Sequence, residues 1–188
     1  MLFPFPIEFP EGRVQRVPPW GRHFRPHVTT TASLVTLREI TAETVRAVTN
    51  LSVAENQRSF VAPNAVSLAQ ALFAPEAWYR AIYFGEELAG FVMLADQSLL
   101  SPPPPQPEVI LWRFMVDANY QGRGIGRAAL LQVIEYVRNK KVFSKLELSF
   151  LPGPGCPEPF YLAHGFRHTG RRAGTEVVLE LSLNENAA

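Results

Sequence analysis

A chain of 188 residues with a formal net charge of +1 is long enough for one domain with a real core, and too nearly neutral to set up a strong nucleic-acid-binding field. Its one cysteine, Cys156, excludes an intrachain disulfide and fits a reducing, cytoplasmic setting. No apolar run approaches membrane-spanning length, and the N-terminus lacks the continuous apolar core of a secretory signal.

Residues 1–32 differ from the rest. Pro4, Pro6, Pro10, Pro18, Pro19 and Pro26 break any helix or interior strand, while Arg13, Arg16, Arg22 and Arg25 alternate with Phe3, Phe5, Phe9, Trp20 and Phe24. This reads as a proline-rich extension, either packed as extended chain on its own domain or a partner subunit, or disordered. Residues 33–188 read as one folded domain. A first strand is expected over 34–40. Thr41 is placed to cap a short helix over 44–54 that carries Val45, Val48 and Leu51. A polar loop over 55–64 leads to a second short helix over 67–73, stopped before Pro75. Strands over 78–84 and 87–95 flank the turn signal Gly85-Glu86. Alternation of Phe91 and Met93 with Val92 and Leu94 predicts cover on both faces of the second strand. Four prolines, Pro102 to Pro105, form a stiff connector.

Val109 to Val116 read as a buried strand. Leu130, Val133, Ile134 and Val137 then recur at helical spacing over 127–139. A strand over 145–150 follows, then a Pro/Gly loop over 151–159. Segments 167–170 and 176–183 are expected to pair antiparallel. His164 and His168 are four residues apart, but Gly165 interrupts any shared helical face, so no metal site is expected.

Between the strand at 109–116 and its helix lies Gln121-Gly122-Arg123-Gly124-Ile125-Gly126. Glycines at alternate positions let a ligand approach the backbone, and the amides at a helix N-terminus attract anions, phosphates above all. Arg123 and Arg127 flank them. A Walker A loop would need Gly-Lys-Ser/Thr after Gly126, and none is there. A dinucleotide fingerprint is formally present as Gly124-x-Gly126-x-x-Ala129, with Glu147 about 20 residues on. Against it, residues 117–121 separate strand from glycines, and no second βαβ unit is visible.

Gln-x-x-Gly-x-Gly after an apolar strand and before an amphipathic helix resembles the acetyl-CoA-binding motif of the GNAT superfamily of N-acetyltransferases. Phe160-Tyr161-Leu162-Ala163-His164-Gly165-Phe166 is similar to the family's Phe-Tyr-x-x-x-Gly-Phe segment. The likeness spans residues 34–183. Residues 55–61 and 67–71, together with Leu111 to Met115, resemble a bacterial branch of spermine/spermidine acetyltransferases.

The resemblance implies an α/β (α+β) fold. Its mixed, mostly antiparallel twisted sheet has about six or seven strands, with helices on both faces and a splayed parallel pair at the centre. It implies acetyl-CoA as cosubstrate, a primary amine (a polyamine such as spermine or spermidine) as acceptor, and a homodimer. No nucleic acid, membrane or metal is implied. By resemblance, the strand bearing Phe114, Met115 and Val116 holds the pantetheine. Gln121, Gly122, Arg123, Gly124, Ile125 and Gly126 take the pyrophosphate, assisted by Arg127. Tyr161 stands where relatives keep the general acid. Glu55, Asn56, Glu76 and Trp112 are candidates to hold a cationic acceptor. Where many relatives carry an asparagine about seven residues before the tyrosine, this chain has Pro154. The general base is not legible: Glu108, Glu55 and a water relay are alternatives. A non-catalytic acyl-CoA-binding protein and a dinucleotide-binding oxidoreductase stand as competing readings.

Overall fold

A computed structural model describes residues 31–184, so nearly all of the proline-rich extension lies outside the described residues. The first elements are a single helical turn, α1 (Thr31–Leu34), and strand β1 (Val35–Arg38). Helix α2 (Val45–Asn50) is shorter than its periodicity suggests. Thr44, not Thr41, is its N-cap; the Thr44 hydroxyl accepts the Thr41 amide at 2.8 Å. The helix stops because Leu51 turns extended and the Ser52 amide is drawn to the buried Asp117 carboxylate at 2.9 Å. Helix α3 (Asn64–Ala71) begins three residues earlier than expected, because Pro63 pre-sets the backbone for a helix start. Asn64 is buried there and donates to the Val48 carbonyl at 2.9 Å, tying α3 to α2.

Strands β2 (Ala77–Phe84) and β3 (Glu87–Asp96) form the hairpin, with Gly85 at φ +61° in the turn. Next come β4 (Val109–Val116), helix α4 (Ile125–Asn139), β5 (Lys145–Phe150), the short helix α5 (Glu158–Leu162), β6 (Arg167–Ala173) and β7 (Glu176–Ser182). The seven strands order as β1-β2-β3-β4-β5-β7-β6. Of the neighbouring pairs, only β4 and β5 run parallel. A doubly wound parallel sheet is therefore excluded, and with it the dinucleotide reading.

The sheet has two cores. On one face α4 buries Ile125, Ala129, Leu130, Val133 and Val137 against Val92, Leu94, Leu146 and Leu148. Each buried valine, leucine or isoleucine among them stabilises the fold by about 1.5–3 kcal/mol. On the other face α2 and α3 contribute Val48 and Leu68 against Ala81, Phe91, Met93 and Met115. Strand β3 is covered on both sides, as its sequence predicts. Among the described residues no helix is long and apolar enough to cross a membrane.

Two features of β4 shape the site. Its register with β3 slips between Met93 and Leu94: Met93 faces Arg113 while Leu94 faces Leu111, leaving Trp112 as an extra residue. This bulge reverses the alternation. Before it, Val109 and Leu111 face α4; after it, Phe114 and Val116 do, and Met115 turns to the α2–α3 side. On its other edge, β4 pairs with β5 only where Ile110 lies opposite Glu147. Beyond that point the strands diverge.

Candidate active site

The divergence opens a cleft of about 1170 Å³ running from the N-terminus of α4, between β4 and β5, to the face covered by residues 57–63. At one end stands the glycine loop. Gly124 is the N-cap of α4 with φ +76° and ψ 3°, a left-handed conformation that disfavours any side chain with a Cβ. Gly126 faces Val116 and Phe160, where an added Cβ would already touch both side chains at 3.5 and 3.7 Å. The Gln121 carboxamide donates to the Val116 carbonyl at 2.9 Å and to Gln57 Oε1 at 2.8 Å, locking the loop to the strand end and to the opposite wall. These glycines, the helix N-terminus and Arg127 line one end of the cleft, an arrangement of amides and charge that suits an anion.

In the middle of the cleft the unpaired edge of β4 faces the gap. Its backbone amides and carbonyls beyond Ile110 lack a β5 partner, which suits an extended ligand with amide groups of its own. Phe114 stacks on Phe160 at 6.1 Å, and Phe160 meets Tyr161 edge-on at 5.3 Å. Tyr161 lines the cleft with its side chain buried, and burial pushes its hydroxyl well above the usual tyrosine value. The phenol therefore stays protonated through the neutral range and can donate a proton.

Phe114, Met115, Val116, Gln121, Gly122, Gly124, Ile125, Gly126, Arg127, Trp112 and Tyr161 all line this one cleft. Ile125 has its side chain in the α4 core, so only its backbone serves the loop. Arg123 is not in the lining; its guanidinium lies over the Tyr120 ring at 5.3 Å. Glu55 and Asn56 sit on the helical turn beside Gln57 but outside the lining, and Glu55 pairs with Arg58 at 3.1 Å. Glu76 lies at the far end of the sheet, where its carbonyl accepts the Asp96 amide at 2.8 Å. Glu108, at the start of β4, is also outside the lining. His164 donates from Nδ1 to the Phe160 carbonyl at 2.7 Å, and His168 pairs with Glu158 at 2.8 Å. Among the described residues no cluster could hold a metal ion.

Sequence reasoning missed Arg113, Ser149 and Glu176, which line the far end of the cleft. Arg113 was legible as a lone charge inside an apolar strand. Its guanidinium donates to the Trp112 carbonyl at 2.8 Å and to Gln70 at 3.2 Å. Burial pushes this guanidinium below its ordinary value, and Glu176 opposes that push. Glu176 itself accepts a hydrogen bond from the Ser149 hydroxyl. Nothing local marked Glu176, which reads as an ordinary strand start.

The glycine loop, the bare edge of β4 and the buried Tyr161 phenol share one continuous cleft. The chain belongs to the acetyltransferase (GNAT) family, whose model matches residues 37–166. It is an acetyl-CoA-dependent N-acetyltransferase. The chain is similar to the spermine/spermidine N(1)-acetyltransferase of Bacillus subtilis, at 25% identity over 72% of this chain and 90% of the relative. Its fold matches the PaiA N-acetyltransferase of Thermoplasma acidophilum solved with coenzyme A (TM-score 0.57, 14% identity, covering 79% of this chain and 98% of that one). It also matches the ribosomal-protein-S18-alanine N-acetyltransferase of Escherichia coli (TM-score 0.57, 17% identity, 82% and 99% covered).

Proposed function

We propose that this enzyme transfers the acetyl group directly to the primary amine of a small-molecule acceptor, with both substrates bound together. The observation that carries this is the continuity of the cleft: it joins the phosphate cradle, the β4 edge and an acceptor end in one space. The cosubstrate brings an acyl carbon activated as a thioester. The chain's own residues supply the rest. The loop from Gln121 to Gly126, with Arg127, holds the pyrophosphate. The backbone of Met115 and Val116 holds the pantetheine, and an N–H of that edge stabilises charge on the carbonyl oxygen. Tyr161 gives its proton to the departing sulfur. Holding both substrates in one cleft removes much of the remaining barrier.

Spermine or spermidine is the acceptor suggested by the names of the Bacillus relatives. The acceptor end sets a boundary on that suggestion. Among the described residues Glu176 is the one carboxylate in the cleft lining, whereas Arg58 and Arg113 also line it. A polycation engages several carboxylates in a dedicated site, so the geometry favours an acceptor that presents one ammonium to the cleft. The enzyme works in the cytoplasm, as a homodimer, on this reading. Thiol release from acetyl-CoA is the test, with spermine, spermidine, a monoamine of similar length, an aminoglycoside and a peptide N-terminus as acceptors. Turnover with one acceptor class establishes the reading. Silence with every acceptor, while acetyl-CoA still binds, refutes transfer to a small amine.

A further inference from the structure

The reaction needs a group to remove a proton. An alkyl ammonium has a pKa of roughly 10, so near neutral pH the acceptor arrives without a free lone pair. The two carboxylates singled out from the sequence do not meet this need. Glu55 is exposed and paired with Arg58, and neither Glu55 nor Glu108 reaches the cleft. Tyr161 is a poor proton acceptor, since burial holds it in the protonated form. His164 spends Nδ1 on a backbone carbonyl and is not in the lining.

Glu176 lies at the first residue of β7, one step beyond the Val177–Phe150 pair that ends β5, where the β4–β5 gap is open. Its neighbours on the same sheet face are already engaged. Glu147 is paired with Lys145 at 2.5 Å and with Arg171, and Glu180 with Lys145 at 3.3 Å. Glu176 is paired with no cation among the described residues and touches only the Ser149 hydroxyl. The groups that face it are Arg113 on β4 and Ser149 on β5. On β6, Arg172 is turned to the Thr175 carbonyl at 3.3 Å and Arg171 to Glu147. Arg113 stands at the β4 bulge, so the Arg113–Glu176 line crosses the cleft where the strands part.

Resting on the acetyl-transfer reading above, we propose that Glu176 accepts the proton of the incoming ammonium, with Ser149 as its positioning residue. The proton passes from the acceptor nitrogen to a Glu176 oxygen, which frees the nitrogen lone pair. As the C–N bond forms and the C–S bond breaks, the electron pair leaves with sulfur, which is protonated by Tyr161; the nitrogen sheds its second proton as it becomes an amide, and that proton restores the Tyr161 hydroxyl by way of solvent. Glu176 is half-exposed and returns its proton to solvent for the next cycle.

The test compares wild type with Glu176→Gln, Glu176→Asp and Ser149→Ala, using the best acceptor and following thiol release from about pH 7 towards pH 10. A positioned general base contributes about a hundred- to ten-thousand-fold, so Glu176→Gln should lower kcat by that factor near neutrality. Acetyl-CoA affinity, read by calorimetry, should not change. The deficit should narrow by up to roughly tenfold per pH unit, because the neutral amine becomes abundant by itself as its pKa is approached. Glu176→Asp should restore part of the rate, and Ser149→Ala should show a smaller deficit with the same pH trend. The last two variants carry the test if Glu176→Gln does not fold. A Glu176→Gln enzyme that turns over like wild type overturns the proposal. So does a deficit that is the same at every pH, or one that appears only in the acceptor KM. A wild type that is silent with every acceptor overturns the reading of a small-amine acceptor and this proposal with it.

Discussion

Gly124 offers a way to separate backbone strain from electrostatics in the phosphate cradle. It holds φ +76° at the α4 N-cap, and a Cβ placed there would meet nothing nearer than Thr31 Cγ2 at 3.8 Å. Substitution is therefore sterically open, and its first cost is conformational. An L-residue in the left-handed region loses about 1–2 kcal/mol, less for asparagine and aspartate, which tolerate it. For a chain of this size that is a fall in Tm of roughly 2–4 °C per kcal/mol. Gly124→Asn and Gly124→Asp share shape and backbone cost and differ in one charge. A carboxylate about 4 Å from a phosphate, at an effective dielectric of about 20, is repelled by about 4 kcal/mol. That is close to a thousandfold in Kd. Calorimetric titration of coenzyme A should therefore show modest weakening for Gly124→Asn and near-loss for Gly124→Asp. The gap should shrink in about 1 M salt, where the screening length falls to about 3 Å. If the two variants bind with Kd values within roughly threefold of each other, no phosphate sits at this helix terminus and the cradle argument is wrong.

Tyr161→Phe should lower kcat while leaving acetyl-CoA affinity unchanged; equal turnover at every pH would make the hydroxyl structural. Because burial raises the folded-state value of Tyr161 above its unfolded one, the phenol's stabilising contribution is complete at neutral pH. It should be lost only as pH climbs past the ordinary tyrosine value of about 10, and a pH–turnover profile should show no tyrosine-dependent alkaline loss below that value. Gln121→Ala removes both loop anchors and should weaken coenzyme A binding by about 1–3 kcal/mol, measured by the same titration, since the Val116 carbonyl and Gln57 lose their partner. Lys140→Met strands Asp96, whose side chain is fully buried and lies 2.7 Å from the lysine ammonium. Burial pushes that ammonium down, but its bonds to Asp96 and Tyr136 outweigh burial and leave it raised. Removing it should cost about 3–5 kcal/mol, read as a drop in denaturation midpoint without change in slope.

The local chemistry of the chain was enough to place most elements and one end of the site. Strands β4 and β5 fall where their patterns lie: Val109 to Val116 is an almost unbroken apolar run, whereas in β5 the buried Leu146, Leu148 and Phe150 alternate with Lys145, Glu147 and Ser149, as a strand with one buried face requires. The α4 stripe of Leu130, Val133, Ile134 and Val137 is buried as its spacing requires. The glycine loop was legible because backbone approach and left-handed φ are demands on residue type, and residue type is what a sequence states. The acceptor end was not legible. It is assembled from β4, β5 and β7, and Arg113, Ser149 and Glu176 are separated by 36 and 27 residues along the chain. The early end of α2 at Asn50 follows from Asp117, more than sixty residues away, drawing off the Ser52 amide. The β4 bulge is equally non-local: a one-residue slip against β3 reverses which side chains face the α4 core. Sequence thus determined what each segment could become and where an anion would be welcome. Pairing and register between distant strands decided which charged groups meet across the cleft, because that depends on alignment between segments rather than on the composition of any one of them.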